Sequence, residues 1–335
     1  MRLLFVVFSV ALIWQFTSCG EATKKVDHSK LTLDSLIVLY PDSVELLVKK
    51  GNQYIEKAQY QEALEIAAKA YRLDSLTFDT RVLYAEALIN KPSRTADDML
   101  RGHLMYKSLV KTNPKSEKAL LGLANTYTML SDMENSFTYI NKALRINPRF
   151  RDAYILKGTN YRLEKNFKLA ISSYETAVQI DPKCTMAYLQ LAVLYERNGD
   201  PKLAIEKYTT AYQLEPRNTE VIYALAYAKE NQGQTKEALD LYRKMSRVDT
   251  TYADAFFHIA KIYQYDFPQL DSAIFYYKKA IKVNQEHVPS YHNLGLVYEE
   301  KNDITNAFFT YAKVLKIDPE YQLTKERVAL LKKKR

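Results

Sequence analysis

Small and large apolar residues recur along this chain at spacings of three and four residues, and the whole arrangement repeats about every 34 residues. In the first half of each repeat, a small residue is followed three positions later by a large one, usually tyrosine. Offsets of three and four place side chains on one face of an α-helix. The pattern therefore predicts a helix in this half of every repeat. The small residues of this column are Gly51, Ala85, Ala124, Gly158, Ala192, Ala226, Ala260 and Gly295.

A second small residue opens the other half of each repeat, and a large one follows it four positions later, as in Ala204 and Tyr208. Prolines mark the ends of the repeats, because proline cannot continue a helix and restricts the residue before it. Each window is therefore predicted to form two antiparallel helices joined by a turn. The prolines Pro114, Pro148, Pro182 and Pro216 are 34 residues apart. The windows are 44–77, 78–116, 117–150, 151–184, 185–218, 219–252, 253–287 and 288–321.

These eight windows resemble the tetratricopeptide repeat, a helix–turn–helix motif of 34 residues. The resemblance extends over residues 44–321 and implies an all-α fold, an α-solenoid superhelix of eight repeats with terminal capping helices. Residues 29–43 are expected to form an N-terminal capping half-repeat, and 322–335 a C-terminal capping helix with a basic tail. Solenoids need such polar-faced ends to stay soluble. Insertions are expected between paired helices, at Asn90–Asp97 and near Phe267–Pro268.

The first residues carry a different pattern, with one positive charge followed by a short apolar run from Leu3 to Trp14. Such a segment predicts a secretory signal peptide over residues 1–18. The sequence Phe16-Thr17-Ser18-Cys19 resembles the bacterial lipobox, which implies that Cys19 is acylated and that residues 19–28 form a tether. Glycine after the cysteine resembles lipoproteins sent to the outer membrane. An ordinary signal peptide with an incidental cysteine, and secretion to the periplasm, is the alternative.

Charge and cysteine content narrow the remaining possibilities. The formal net charge is +9, and much of it lies in residues 322–335, where six basic residues face one acidic residue. A solvated helix end explains this tail, because cations suit the C-terminal end of the helix dipole; contact with anionic lipid is the alternative. Nucleic acid is not an expected partner for an exported chain without a recognised binding fold. If Cys19 is acylated, Cys184 has no partner, so no disulfide is expected.

Motifs for catalysis, phosphate binding or metal binding are missing from the sequence. Neither a phosphate loop nor a nucleophile-elbow or zinc-protease motif occurs, and the repeats leave no room for a catalytic domain. His258, His287 and His292 are too few and too separated to predict a zinc site. We therefore expect a protein that is not an enzyme and binds no cofactor and no metal.

In the tetratricopeptide family the first helix of each repeat lines the concave face, so the resemblance implies a partner groove along these helices. The matching positions form an apolar and aromatic column with acidic flanks at Glu196, Glu220, Glu230 and Glu299. Aromatic anchors with a charged rim suit an extended or helical segment of a partner protein. Packing between repeats, or filling by the chain's own termini, is the alternative. The predicted groove residues are Leu121, Asn125, Ile155, Thr159, Leu189, Val193, Tyr223, Tyr227, Phe257, Lys261, His292 and Leu296.

One subgroup of the family binds chaperone tails through lysine, asparagine and arginine at these positions. Here the lysine positions hold Val48, Leu121, Ile155 and Leu189, which disfavours that function. The leading hypothesis is a non-enzymatic lipoprotein scaffold that holds an envelope protein in its groove, in assembly of a secretion, pilus or outer-membrane complex. The alternative is an adaptor that recruits peptidoglycan enzymes to the membrane. A hidden hydrolase is the weakest hypothesis.

Overall fold

A computed structural model describes residues 31–333, and the regular secondary structure of these residues is entirely helical. The prediction of an all-α solenoid of helix–turn–helix repeats is confirmed. The signal segment, Cys19 and the tether lie outside the described residues. The helices are α1 (Leu33–Leu39), α2 (Val44–Glu56), α3 (Tyr60–Leu73), α4 (Phe78–Asn90), α5 (Ala96–Thr112), α6 (Glu117–Met129), α7 (Met133–Ile146), α8 (Arg151–Leu163), α9 (Phe167–Ile180), α10 (Thr185–Arg197), α11 (Pro201–Leu214), α12 (Thr219–Asn231), α13 (Thr235–Val248), α14 (Ala253–Tyr265), α15 (Leu270–Val283), α16 (Val288–Glu300), α17 (Ile304–Ile317) and α18 (Gln322–Lys333).

The chain divides into two compact units, the first ending at Gly102 and the second beginning at His103, both within α5. In the first unit, α2 packs against α3, and α3 packs against α4. Alanines form most of this contact, since Ala63 and Ala67 are fully buried beside Leu83. A Cβ atom added to Gly51 would lie 2.4 Å from the Leu83 side chain, so glycine permits this close approach.

The second unit contains six consecutive helix pairs, α6–α7 to α16–α17, followed by α18. A recurring contact between a small residue and a tyrosine holds five of these pairs together, and Ile140 takes the place of the tyrosine in α6–α7. In the fourth repeat, Tyr174 is fully buried, and a Cβ atom on Gly158 would lie 3.0 Å from its ring. In the fifth, Ala192 and Ala204 are buried beside Tyr208. Small residues thus set the helix spacing, and tyrosines fill the space above them.

The turn between the paired helices has the same backbone shape in several repeats. One residue in it adopts a positive φ, between 55° and 84°. This conformation is disfavoured for residues with a Cβ atom. Only two repeats place glycine there, and the others accept the conformation with other side chains. The residues are Ala58, Ser131, Lys165, Gly199, Gly233 and Asn302.

Both ends of the described region carry a single helix. At the C-terminal end α18 packs against α17 through the buried Leu331, which contacts Ala307 and Tyr311. The insertion in the second window forms the connection between α4 and α5, where Lys91 is ion-paired to Asp98 at 2.6 Å. Among the residues from 31 to 333, no helix combines the length and the apolar character needed to cross a bilayer.

Candidate functional site

The twelve predicted groove residues lie on the first helices of six repeats, α6, α8, α10, α12, α14 and α16, all in the second unit. Their exposure differs considerably. Val193 and Tyr227 are 44% and 43% exposed, His292 is buried, and the other nine are partly buried. The most accessible part of the predicted column is therefore in the fifth and sixth repeats.

Other exposed apolar side chains extend this surface along the same helices. Met186 precedes Val193 by seven residues in α10, and Tyr265 follows Lys261 by four residues in α14. Spacings of four and seven keep each pair on one helical face. We call the exposed residues Leu163, Met186, Val193, Tyr227 and Tyr265 the first-helix stripe. The sequence interpretation missed three of them because it took only two positions from each helix.

Tyr223 and Phe257, two of the predicted groove residues, pack against neighbouring aromatic side chains. The Tyr223 ring is partly buried, with its centroid 6.0 Å from that of Tyr252 and 5.7 Å from that of His258. The Phe257 ring lies 5.5 Å from that of His287. Both aromatic side chains therefore contribute to packing between repeats, and truncating them would disturb the fold as well as the surface.

His292 is covered by the C-terminal helix of the chain itself. Its Nδ1 atom lies 2.8 Å from Thr324 Oγ1 on α18, and its ring packs edge-on against Tyr321 at 5.4 Å. Burial, together with the nearby Arg327 guanidinium, lowers the pKa of His292. The alternative that a terminus fills part of the predicted groove thus applies at this position, and we leave His292 out of the candidate surface.

A nearly buried carboxylate joins the sixth and seventh repeats next to Tyr227. Glu230 Oε2 accepts hydrogen bonds from the Tyr242 hydroxyl at 2.8 Å and from His258 Nδ1 at 2.9 Å. Lys261 Nζ lies 2.8 Å from the other oxygen, Oε1. Because α12, α13 and α14 each contribute a group, this network fixes three helices relative to one another.

The charge of this carboxylate is stabilised by its partners. Burial alone would raise the pKa of Glu230, but the hydrogen bonds from His258 and Lys261 more than offset it and lower the pKa to about 2. Glu230 is therefore ionised at neutral pH. Burial of Tyr223 raises the pKa of its hydroxyl to about 12, so this hydroxyl stays protonated at neutral pH.

Contacts between a tyrosine and an acidic residue recur in three repeats at a spacing of twelve residues. The hydroxyl groups of Tyr208, Tyr242 and Tyr311 donate to Glu196, Glu230 and Glu299. In the seventh repeat a neutral amide takes this place, and Tyr277 donates to Gln264 Oε1 at 2.9 Å. Three of the four acidic residues predicted to flank the groove thus also bind the second helix of their repeat, and Glu220 is the exception. A glutamate twelve residues before a tyrosine is the sequence pattern that could have predicted this contact.

Glu299 has an additional partner from α18, because Arg327 Nε donates to its Oε1 at 3.0 Å and Arg327 Nη2 donates to its Oε2. His287 has a different acidic partner from His258, because its Nε2 atom lies 3.1 Å from Asp254 Oδ1. No group of three or more His, Cys, Asp or Glu side chains placed to hold a metal ion occurs among residues 31–333.

Comparison with known proteins identifies the repeats. Three family models, each described as tetratricopeptide repeat, match residues 117–150, 155–219, 197–256, 253–287 and 288–321, together more than half of the chain. A curated relative, the uncharacterized protein ycf37 of Guillardia theta, is 32% identical over 63 residues, which are 19% of this chain and 35% of that protein. The chain thus spans about a third of the length of the curated relative that it matches.

Solved structures with the same architecture support the fold assignment alone, because their sequences are distant. The C-terminal part of a TPR repeat-containing protein from Cytophaga hutchinsonii superposes with a TM-score of 0.60 at 17% identity, over 73% of this chain and 98% of that one. Cut9–Hcn1, crystallised as an APC/C hetero-tetramer, gives a TM-score of 0.58 at 19% identity, over 89% of this chain and 57% of that one.

Proposed function

Since the chain belongs to the tetratricopeptide repeat family, we propose that it is a non-enzymatic scaffold that binds a segment of another protein along its first helices. One observation carries this proposal: apolar side chains stay exposed on the same helical face in four successive repeats, the fourth to the seventh. Exposed apolar residues that recur on one face of successive repeats, unlike scattered ones, are typical of interaction surfaces.

The chemistry of the stripe favours a partner segment with apolar side chains at regular intervals. Tyr227 offers a large rigid anchor, and Val193 and Met186 offer aliphatic contact in the neighbouring repeat. Lys261, Glu196 and other polar side chains lie on the same helices and can bind the backbone or charges of the segment. A few buried anchors with a polar surrounding are the usual composition of a peptide-binding surface.

We further propose that the scaffold acts at the bacterial cell envelope, anchored in the outer membrane by acyl chains on Cys19. Support comes from the lipobox-like sequence Phe16-Thr17-Ser18-Cys19 after an apolar segment. Acyl chains on one residue supply the two hydrophobic anchors that stable membrane attachment requires. Assembly of a secretion, pilus or outer-membrane complex fits a membrane-held scaffold of this kind, and recruitment of peptidoglycan enzymes is the second candidate.

Anchoring is tested with the Cys19→Ser variant. Metabolic labelling with radioactive palmitate should mark the parent chain and not the variant, and fractionation should move the variant out of the outer membrane. Labelling of the variant, or a distribution that stays unchanged after a high-salt wash that removes peripheral contacts, would show that Cys19 is not the anchor. The binding proposal does not depend on this result, because the stripe lies elsewhere in the chain.

The binding surface is tested in intact cells with a photo-crosslinking amino acid at position 227 and, in a separate strain, at position 203. Leu203 is a matched control, since it is 40% exposed but lies on a second helix, α11. We expect a specific cross-linked partner, identified by mass spectrometry, from position 227 only. Cross-links of equal yield from both positions would contradict the proposed surface.

Substitution then measures the contribution of the stripe to binding of that partner. The double variant Val193→Ser, Tyr227→Ser should weaken binding by at least about thirtyfold, since anchors of this type often contribute ~2 kcal/mol each. The control Leu169→Ser, Leu203→Ser removes two apolar side chains of similar exposure from second helices. Circular dichroism checks that both variants fold. A folded stripe variant with unchanged affinity would refute the proposed function.

A further inference from the structure

The second helices of the last two repeats carry exposed phenylalanines on their outer faces. Phe275 on α15 is 53% exposed and Phe309 on α17 is 70% exposed, and each lies five residues after the first residue of its helix. The same position in the four preceding repeats holds the exposed polar residues Thr138, Ser172, Glu206 and Asp240. Exposed phenylalanine is therefore a local feature of the seventh and eighth repeats and not a property of the repeat.

Lysines follow both phenylalanines at the same two spacings. Residues four and seven positions later are exposed lysines in each helix, so ring and ammonium groups share one helical face. We call Phe275, Lys279, Lys282, Phe309, Lys313 and Lys316 the Phe–Lys face. The sequence of α17 contains no acidic residue. The single acidic residue of α15 is Asp271, which is ion-paired to Lys301.

The two kinds of side chain are held close together. Lys279 Nζ lies 4.6 Å from the centroid of the Phe275 ring, so the cation sits over the apolar group that it accompanies. Long lysine side chains can extend beyond a neighbouring ring and place the charge at a polar boundary. The matching positions of α17 hold the same residue types, Phe309 and Lys313.

We propose that the Phe–Lys face is a second membrane contact, which binds peripherally to the surface of an anionic phospholipid bilayer. The phenylalanine rings enter the boundary between head groups and acyl chains, and the lysines contact lipid phosphates. Protruding aromatic side chains with cations around them are typical of interfacial membrane binding. A protein partner would need a separate pocket for each ring, whereas a fluid lipid surface accepts protruding rings directly. The proposal does not depend on the first-helix stripe.

The test measures lipid contact at one position of the full chain. Trp14 is the single tryptophan of the sequence, so a Trp14→Phe, Phe309→Trp variant reports fluorescence from position 309 alone. The matched control is Trp14→Phe, Ser172→Trp, which places the reporter at the equivalent exposed position of the fourth repeat. Each is mixed with phosphatidylcholine vesicles or with mixed phosphatidylglycerol–phosphatidylcholine vesicles, both with brominated acyl chains.

We expect bromine quenching at position 309 on the anionic vesicles only, and little quenching at position 172 on either. Because both variants keep the same N-terminal segment, any attachment through that segment affects them equally. Adding Lys279→Glu and Lys313→Glu should weaken the quenching response at least about tenfold, since each lysine contributes substantially to binding of anionic lipid. High salt should weaken it as well, because these charges are exposed.

Equal quenching at the two positions, or no difference between anionic and neutral vesicles, would overturn the proposal. Soluble polyglutamate serves as a mimic of an acidic protein. A fluorescence shift at position 309 with polyglutamate, without quenching by the anionic vesicles, would assign the face to an acidic partner protein and would also overturn the proposal. Circular dichroism checks that each variant folds. Because the substituted residues are exposed, we expect all variants to keep the helical content of the parent.

Discussion

Tyr242→Phe should destabilise α13 more than Tyr277→Phe destabilises α15, because the two hydroxyl groups donate to acceptors of different charge. Both side chains are fully buried at equivalent positions of neighbouring repeats. The Tyr242 hydroxyl lies 2.8 Å from Glu230 Oε2, and the Tyr277 hydroxyl lies 2.9 Å from Gln264 Oε1. The comparison therefore varies the charge of the acceptor while burial and hydrogen-bond length stay nearly constant.

The expected magnitudes follow from the acceptors. A hydrogen bond to a charged group contributes about 1.5–3 kcal/mol, and one between neutral groups about 0.5–1.5 kcal/mol. Without the Tyr242 hydroxyl, Glu230 still keeps His258 and Lys261, so its charge is not left unpaired and the cost should lie near the lower end. We expect a loss of ~2 kcal/mol for Tyr242→Phe and ~1 kcal/mol for Tyr277→Phe.

Native-state hydrogen exchange is the suitable assay, because long repeat arrays do not always unfold in one cooperative step. Amide exchange of peptides from α13 and α15 reports the free energy of local opening. A difference of ~1 kcal/mol corresponds to about a fivefold difference in the acceleration of exchange. If Tyr277→Phe accelerated exchange as much as Tyr242→Phe, the charge of Glu230 would not be the source of the added stability.

Three further substitutions test other parts of the fold. Gly199→Ala should reduce the free energy of unfolding by ~1 kcal/mol in a urea titration. The φ angle is +84° and the added Cβ would meet no atom within 4 Å, so the cost is conformational only. Lys165→Ala, at the equivalent turn, is the control and should be nearly neutral in the same titration. Ala204→Leu should overpack the α10–α11 contact and cost roughly 1–3 kcal/mol, with faster exchange mainly in adjacent repeats. Glu230→Gln should reduce acid sensitivity: the parent's contribution from this group is present above pH 4.5 and is lost as the pH falls towards 2, because its folded pKa is depressed. An unchanged difference between parent and variant across that range would contradict this.

The repeat pattern in the sequence was sufficient to predict the fold, because the contacts that build it are local. A contact such as that between Gly158 and Tyr174 requires only that one helix approach the next closely, and the spacing of small and large residues in the sequence predicts this approach. Neighbouring repeats then stack by the same rule. The helix pairs of the second unit accordingly fall within the predicted windows from 117 to 321.

The candidate surface was harder to predict, because exposure depends on what the next repeat contributes. Tyr223 and Tyr227 are four residues apart on one helix, yet only Tyr227 is well exposed. His258 contacts both rings, but Tyr252, at the turn before α14, packs against the ring of Tyr223. Similarly, Thr324 of α18 covers His292. The periodic pattern assigns Tyr223, Tyr227 and His292 to the same groove-facing surface, but it carries no information on the contacts that each residue makes.

The polar network beside the stripe bears on how tightly a partner can bind. Tyr227 stands three residues before Glu230 on α12, and its ring lies 5.9 Å from that of His258 on α14. His258 is itself held by Glu230, so the surroundings of Tyr227 are fixed before any partner binds. Ordering a side chain at an interface costs about 0.5–1.5 kcal/mol, and a preorganised anchor avoids much of that cost. The same carboxylate that joins the sixth and seventh repeats therefore also favours Tyr227 as the main anchor of the first-helix stripe.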